Sequence, residues 1–365
     1  MRRIVFVLDA IQDTHALKRV EEFADNGFSI KVYGFNRQNC PIPTNPKFDI
    51  CVLGEFPSGE KYLSRFSILY KGLRRVRREC SRKDLYYYFG LNTAFVGSMA
   101  IRREYVYEEC DLTHAYFNRT FLFKILECVD KRLIRKSKLT VLTSDGFREL
   151  HFGDATPENI VIVPNRLNPS CLKQYLPIPK VKSDRLRIGF VGVIRSRQIY
   201  NFAKVFAALS SDHEFHFWGV FSPVYTQAEI DGLLATPNIF YHGRFRNPDD
   251  LATIYSQIDL TMATYDTTQI NPQYAEPNKL YEAIFYETPI IVSHNSFLAD
   301  KVERLDVGFS VDALNDEDIR RLTASISEDV LREKTAVCHA IPKSESININ
   351  SAFVSQCRML CNEPK

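Results

Sequence analysis

Two segments of this chain carry residue types whose spacing could bind a phosphorylated substrate. In Gly189-Phe-Val-Gly192-Val-Ile-Arg195-Ser-Arg197, an apolar run ends in glycine and opens onto a loop with two arginines. Glycine lets backbone approach a ligand closely, and arginine makes charge-assisted, bidentate bonds to phosphate oxygens. An ordinary strand–loop–helix turn with surface arginines has the same pattern. In Glu276-Pro-Asn278-Lys279-Leu280-Tyr-Glu282-Ala, Pro277 suits a helix entry, and Lys279 and Glu282 share one face near its start. A lysine there can meet a phosphate, and a carboxylate one turn in can accept two hydrogen bonds from a ribose diol. The competing explanation is an exposed salt pair worth a few tenths of a kcal/mol.

A third group is Glu108-Glu109-Cys110-Asp111 with His114, which follows an apolar run. It reads either as acid–base chemistry at a strand end or as a solvated acidic loop. Asp13 and His15 follow the first apolar run in the same way, and His15 can equally be a helix-start residue. No GxGxxG, no GxxxxGK[ST] and no zinc-spaced Cys/His cluster occurs, so a P-loop is excluded and a dehydrogenase is poorly supported.

The elements that must position these residues alternate. Strands are predicted over 3–8, 28–35, 48–53, 85–89, 104–107, 139–143 and 159–163, with helices between them. One of those helices, over 61–82, sets Leu63, Phe66, Leu69, Leu73, Val76 and Cys80 against Lys71, Arg74, Arg75, Arg78 and Arg82. The pattern pauses at 166–184, where Pro169, Pro177 and Pro179 suggest a linker. It resumes with strands over 186–191, 214–218, 239–242, 260–263 and 290–292. Such alternation specifies an α/β fold with parallel sheets, and 365 residues predict two or three domains. Ligands of such sheets bind outside the carboxyl ends of the strands.

Composition narrows the function. The chain is 45% hydrophobic with 26 Phe and 18 Tyr, which makes disorder an unsuitable reading. A net charge of +3 is too small to imply nucleic-acid binding. Residues 1–165 carry 26 Lys and Arg against 20 Asp and Glu, whereas the remainder carries 21 against 24. The basic half, with its helix at 61–82 and the stretch 131–138, could lie against an anionic membrane or simply present solvated faces. Nine scattered cysteines and no apparent leader lead us to expect a reducing, cytoplasmic setting, and the basic half extends that expectation to the inner membrane face.

Residues 185–295 resemble the donor-nucleotide half of a GT-B glycosyltransferase, most like glycosyltransferase family 4. The matching stretches are 188–193, 215–219, 238–243, 251–259, Pro277–Ala283 and Thr288–Val292. The first half resembles that family's acceptor domain at 107–112, 141–144 and 160–165. The resemblance implies two Rossmann-like domains facing a cleft, an acceptor domain over 1–165 and a donor domain over 185–340. A tail over 341–365 would pack back on the first domain.

By the same resemblance Glu282 binds the donor ribose and Lys279 faces the nucleotide, with Asn278 and Leu280 on the same motif. Arg195 and Arg197 neutralise the pyrophosphate, Gly192 admits the phosphates, and Gly243 and Arg244 lie beside the base. Glu109, Asp111 and His114 approach the reacting sugar, and Asp13 and His15 the acceptor. Two positions depart from the family. Its first motif glutamate is Tyr274 here, with Glu276 the nearest acid, and its glycine before Thr288-Pro is Glu287.

The resemblance implies a retaining transfer from a nucleotide-diphosphate sugar to a hydroxyl of a glycan or lipid-linked acceptor. No cofactor and no metal are required, because cations replace Mg²⁺ at the leaving diphosphate. A nucleotide-sugar epimerase on the same frame and a catalytically idle nucleotide-binding scaffold are the alternatives.

Overall fold

The structure, a computed structural model, describes residues 2–37, 40–56, 62–117 and 121–362. The chain divides into two compact units, residues 1–164 with 350–365, and residues 165–349.

In the first unit the strands are β1 (Ile4–Leu8), β2 (Ile30–Arg37), β3 (Ile50–Phe56), β4 (Leu85–Phe89), β5 (Tyr105–Glu109), β6 (Leu139–Leu142) and β7 (Ile160–Ile162). Its helices are α1 (Thr14–Asp25), α2 (Tyr62–Glu79), α3 (Gly90–Ala100), α4 (Phe121–Lys136) and α5 (Asp145–Phe152). The sheet runs β3-β2-β1-β4-β5-β6-β7, every pair parallel. The winding reverses between β1 and β4.

A parallel sheet is covered on both faces, so its strands are apolar throughout. Strand β1 sends Ile4, Phe6 and Leu8 into one core and Val5 and Val7 into the other. Phe23 of α1 sits in the first core, with its ring 5.4 Å from Phe6 and 4.9 Å from Phe28. Burying one such ring contributes about 1.5–3 kcal/mol.

The second unit contains β8 (Leu186–Ile194), β9 (His213–Phe221), β10 (Ile239–Tyr241), β11 (Leu260–Ala263), β12 (Ile290–Ser293) and β13 (Gly308–Val311). Its helices are α6 (Cys171–Gln174), α7 (Arg197–Leu209), α8 (Gln227–Leu234), α9 (Leu251–Ser256), α10 (Ile270–Tyr274), α11 (Lys279–Phe285), α12 (Phe297–Leu305), α13 (Asp316–Ser325) and α14 (Glu328–Ala340). The parallel order is β10-β9-β8-β11-β12-β13, reversing between β8 and β11.

The segment 166–184 is not a free linker. Leu167 forms a bridge with Ile347, and the Lys180 ammonium donates to the carbonyls of Tyr255 and Ile258 at 2.8 and 2.9 Å. Only the last stretch returns to the first unit. There α15 (Ser351–Asn362) places Phe353, Val354, Cys357 and Cys361 in the core beside Phe6 and Phe23, on the one face that spacings of three and four produce.

Helix α2 buries Leu69, Leu73 and Val76 and exposes Lys71, Arg74, Arg75 and Arg78, with Arg82 exposed just beyond it. Phe66, expected on the buried stripe, is exposed. The expected start at residue 61 and the Leu63 side chain lie outside the described residues.

Candidate functional site

Each sheet has a group of polar residues at its carboxyl-terminal strand ends. In the second unit the group gathers where the winding reverses. Strand β8 ends near Gly192 at φ 147°, in register with Gly219 of β9 at φ 136°. Side chains rarely adopt such backbone, and a Cβ on Gly219 would stand 1.8 Å from the Gly192 carbonyl oxygen. The two strands therefore close on each other only because both positions are glycine. Gly219→Ala is expected to cost at least about 1–3 kcal/mol in backbone strain and to distort the Gly192 turn. A thermal melt showing unchanged stability would contradict this.

Helix α11 is one short, wholly buried piece. The Glu282 carboxylate, 1% exposed, accepts from Tyr255 Oη at 2.8 Å, Asn278 Nδ2 at 2.8 Å and Lys279 Nζ at 2.5 Å. Lys279 Cε lies 3.9 Å from where a Gly192 Cβ would be. Burial pushes the Tyr265 phenol up to about 12, with Arg195 opposing and Glu282 adding. Arg195 directly follows the end of β8 at Ile194, and its side chain is exposed.

The other expected donor residues are placed differently. Arg197 is not beside Arg195. It donates to Glu229 at 2.6 Å and to the Val224 carbonyl at 2.9 Å, and lies over the Tyr225 ring. This commits it to the α8 side as the first residue of α7. Leu280 is fully buried in the apolar core, so only its backbone could face a ligand. Gly243, at φ 74°, accepts from the Gly219 amide at 2.6 Å, and Arg244 beside it is exposed.

Glu276 is buried and bonded to Lys301 at 2.7 Å and to the Tyr281 hydroxyl, which anchors it to α12. Glu287 has φ 54°, the backbone that explains a glycine at this place in the resembling family. Lys343 and His339 compensate, pairing with its carboxylate at 2.5 and 3.1 Å.

In the first unit Glu108 and Glu109, the last two residues of β5, are buried, not solvated. Glu108 is completely buried and bonds His15 Nε2 at 2.6 Å, Arg19 Nη2 at 3.1 Å and the Tyr87 hydroxyl. Burial alone would raise its carboxyl, but Arg19 and His15 outweigh it and hold the group down at about 2. His15 is thereby committed to Glu108, and Asp13 caps α1 by accepting from the amides of His15 and Ala16.

Glu109 is also fully buried, with His151 Nε2 at 2.9 Å. Burial and the neighbouring Asp130 charge push its carboxyl well up, so it holds a proton and donates to Asp130. Asp130 also accepts from Tyr107 Oη at 2.9 Å and pairs with His114 Nδ1 at 3.1 Å. Burial disfavours the Asp130 charge, but the hydrogen bonds from His114 and Glu109 overcome this and keep it low.

Glu109 and His114, expected to face the reacting sugar, are therefore enclosed, and the acid left at the surface is Asp111. The reason is that the 3-10 turn Thr113–Phe117 packs on α4, and Asp130 of α4 meets both His114 of that turn and Tyr107 of β5. Glu109, His114 and Asp130 offer donor atoms within 4.8 Å of one another and could in geometry hold a cation, although the shared proton already balances the pair.

A protonated Glu109 has a pH signature. A raised carboxyl contributes stability below about 4.5, and that stability is lost as pH rises through the raised value. Glu109→Gln mimics the protonated form, so its melting temperature should gain on the wild type as pH goes from 5 to 8. A difference constant with pH would mean that Glu109 is ionised.

Sequence reasoning missed Arg19, Tyr255, Asp130 and His151. A signal existed for two of them. His15, Arg19 and Glu22 recur at helical spacing on α1, and Asp130 lies on the apolar stripe of α4 with Leu133 and Ile134.

No known protein-family profile matches the chain. Several solved structures superpose on nearly all of it. Sucrose-phosphate synthase from Thermosynechococcus elongatus is 16% identical, covers 98% of each chain and has a TM-score of 0.70. Anabaena Alr3699/HepE in complex with UDP and glucose is 15% identical over 100% of each chain, also at 0.70. The fold is GT-B. Two parallel-sheet α/β units, each reversing at its own switch point, are the GT-B arrangement, shared with the lipopolysaccharide outer core galactosyltransferase WaaB (12% identity, 98% of each chain, TM-score 0.62). Among curated proteins, the succinoglycan biosynthesis protein ExoL of Rhizobium meliloti (strain 1021) is 23% identical over 308 residues, 77% of this chain and 74% of its own length.

Proposed function

We propose that this GT-B protein is a glycosyltransferase that moves a hexose from a nucleotide-diphosphate sugar to a hydroxyl of a glycan or lipid-linked acceptor during polysaccharide assembly. One observation carries the reading. Gly192, Lys279 and Glu282 gather at the switch point of the second sheet, and Arg195 follows the end of β8 there. A close backbone approach, two cations and a carboxylate at one place suit a diphosphate joined to a ribose. HepE has been solved with UDP and with UDP-glucose, and ExoL is named for succinoglycan biosynthesis, which supports a UDP-sugar and a polysaccharide product.

In this reading Lys279 and Arg195 stabilise the charge that develops on the leaving diphosphate, and Glu282 fixes the ribose. Gly243 and Arg244 flank the base. Asp111 is the acid presented to substrate on the first unit, and Glu109 and His114 support it from beneath. Retention of configuration and membership of family 4 belong to the same proposal, as does peripheral contact of the basic first unit with an anionic membrane.

One feature favours a second reading. Tyr274 replaces the expected acid, and Glu276 is tied to Lys301 and Tyr281, which suits a nucleotide-binding scaffold without turnover. Incubation with UDP-glucose and related donors, with and without a lipid-linked glycan acceptor, separates the readings. Acceptor-dependent release of UDP supports transfer. Sugar isomerisation without acceptor identifies an epimerase, and binding without turnover a scaffold.

A further inference from the structure

At the opposite end of β5 from Glu109, roughly 13 Å away at the rise of an extended strand, lies a cavity of about 530 Å³. It opens between the C-terminal ends of α3 and α4. Phe95, Met99, Val129 and Leu133 give it an apolar floor, and Arg102, Arg103, Arg132 and Lys136 supply four cations. No acid is among its lining residues. The nearest in sequence, Glu104, is already paired with Arg2 at 2.8 Å and Lys138 at 3.5 Å. Among the described residues none of the four cations pairs with a carboxylate. Arg102 Nε and Arg103 Nη1 donate only to the backbone carbonyls of Met99 and Arg102.

Cations near helix C-termini offset the helix dipole, and that alone would explain single residues here. It does not explain an apolar-floored hollow between them. Nor does it explain the rest of α4, whose outward stripe begins with exposed Phe121 (80%), Leu122 and Ile125 and continues through Cys128 to Arg132 and Lys136. Apolar residues followed by unpaired cations along one helix face match a bilayer surface, with acyl chains under the first group and headgroups at the second. A free anion would need no Phe121 or Ile125, and a protein partner would leave the charges unanswered unless it were acidic.

We propose that this cavity binds the phosphate headgroup of an anionic membrane phospholipid, with α4 lying in the interface. The proposal rests on and deepens the membrane contact advanced above, assigning it to α4 and not to α2, and it does not depend on turnover.

The test is co-sedimentation of the full chain with phosphatidylcholine vesicles, with and without phosphatidylglycerol. Binding should require phosphatidylglycerol and weaken with salt. Each cation neutralised should cost about fivefold in affinity, so Arg102→Gln/Arg103→Gln/Arg132→Gln/Lys136→Gln should lose at least a hundredfold. Phe121→Ser/Ile125→Ser should also lose binding. Arg135→Gln, at a helix cation seated over Phe152, should not. Thermal melts and the shift with UDP-glucose, measured on the same variants, separate misfolding or a failed donor site from a failed lipid site.

Several results would overturn the proposal. They are no binding by the intact protein, binding indifferent to the four cations but lost in Arg74→Glu/Arg78→Glu, a change of oligomeric state in Phe121→Ser/Ile125→Ser, or titration with glycerol phosphate but not with vesicles.

Discussion

Glu282→Ala should abolish the thermal stabilisation that UDP or its sugars confer on the wild type. Ligand present at a hundred times its Kd stabilises by about 2.7 kcal/mol, which for a unit of this size is roughly 5–11 °C. The variant should show none of it, because the carboxylate proposed to hold the ribose is gone. It should also melt lower without ligand. Removing Glu282 leaves the Lys279 ammonium, 7% exposed, without the partner that lies at 2.5 Å. Breaking a buried pair from one side costs about 3–5 kcal/mol.

Glu282→Gln separates the two effects. Its amide fills the same volume and can still accept from Tyr255, so the unliganded protein should recover part of its stability while the nucleotide shift stays lost. A Glu282→Gln protein that keeps the full shift would remove Glu282 from the donor site and leave it a structural partner of Lys279.

Arg19→Met should be the most destabilising single change in the first unit. Arg19 is 1% exposed and meets Glu108, itself fully enclosed, and Glu22 at 2.6 Å. Methionine preserves much of the packed stem but strands the Glu108 charge. We expect a loss of about 3–5 kcal/mol, or roughly 6–20 °C in the melting temperature of that unit.

The pH dependence follows with a definite sign. The wild-type Glu108 carboxyl, held at about 2 against an ordinary value near 4.3, contributes stability that is present above pH 4–5 and lost as pH falls toward 2. Without Arg19 its depression shrinks, so the acid loss of stability shifts to smaller size and the deficit against wild type narrows as pH drops. Arg19→Met/Glu108→Gln should recover part of the loss, because neither charge is then left alone. If the double variant is no better than the single at pH 7, the pair is not the origin of the loss.

Much of the architecture could be read before any coordinates. The apolar run at residues 4–8 is a central strand, and the alternation after it yields two parallel sheets, because period and turn residues are local properties of the chain. The segment 166–184 resisted such reading. Its prolines resemble a linker, yet Leu167 and Lys180 find partners at residues 347, 255 and 258, which are remote in sequence.

The candidate site divides in the same way. Lys279 and Glu282 were legible because one turn of helix brings them together whatever surrounds it. Arg195 and Arg197 looked alike in sequence, and the difference between them comes from Glu229 and Tyr225, about thirty residues on, which capture Arg197 alone.

What the sequence by itself determined is the alternation of elements, the parallel α/β class and the local pair on α11, whereas the strand order with its reversal in each sheet came from pairings between remote segments. The tertiary structure alone decided which charged groups are enclosed. Glu108, Glu109 and Asp111 are neighbours of similar polarity, and nothing in their spacing separates them. Strand pleating sends Glu108 toward Arg19 on α1 and Glu109 toward Asp130 and His151 on the other face, whereas Asp111 lies past the strand end in solvent. Burial then fixes one acid charged and one protonated, because the partners that set each proton come from helices distant in the chain.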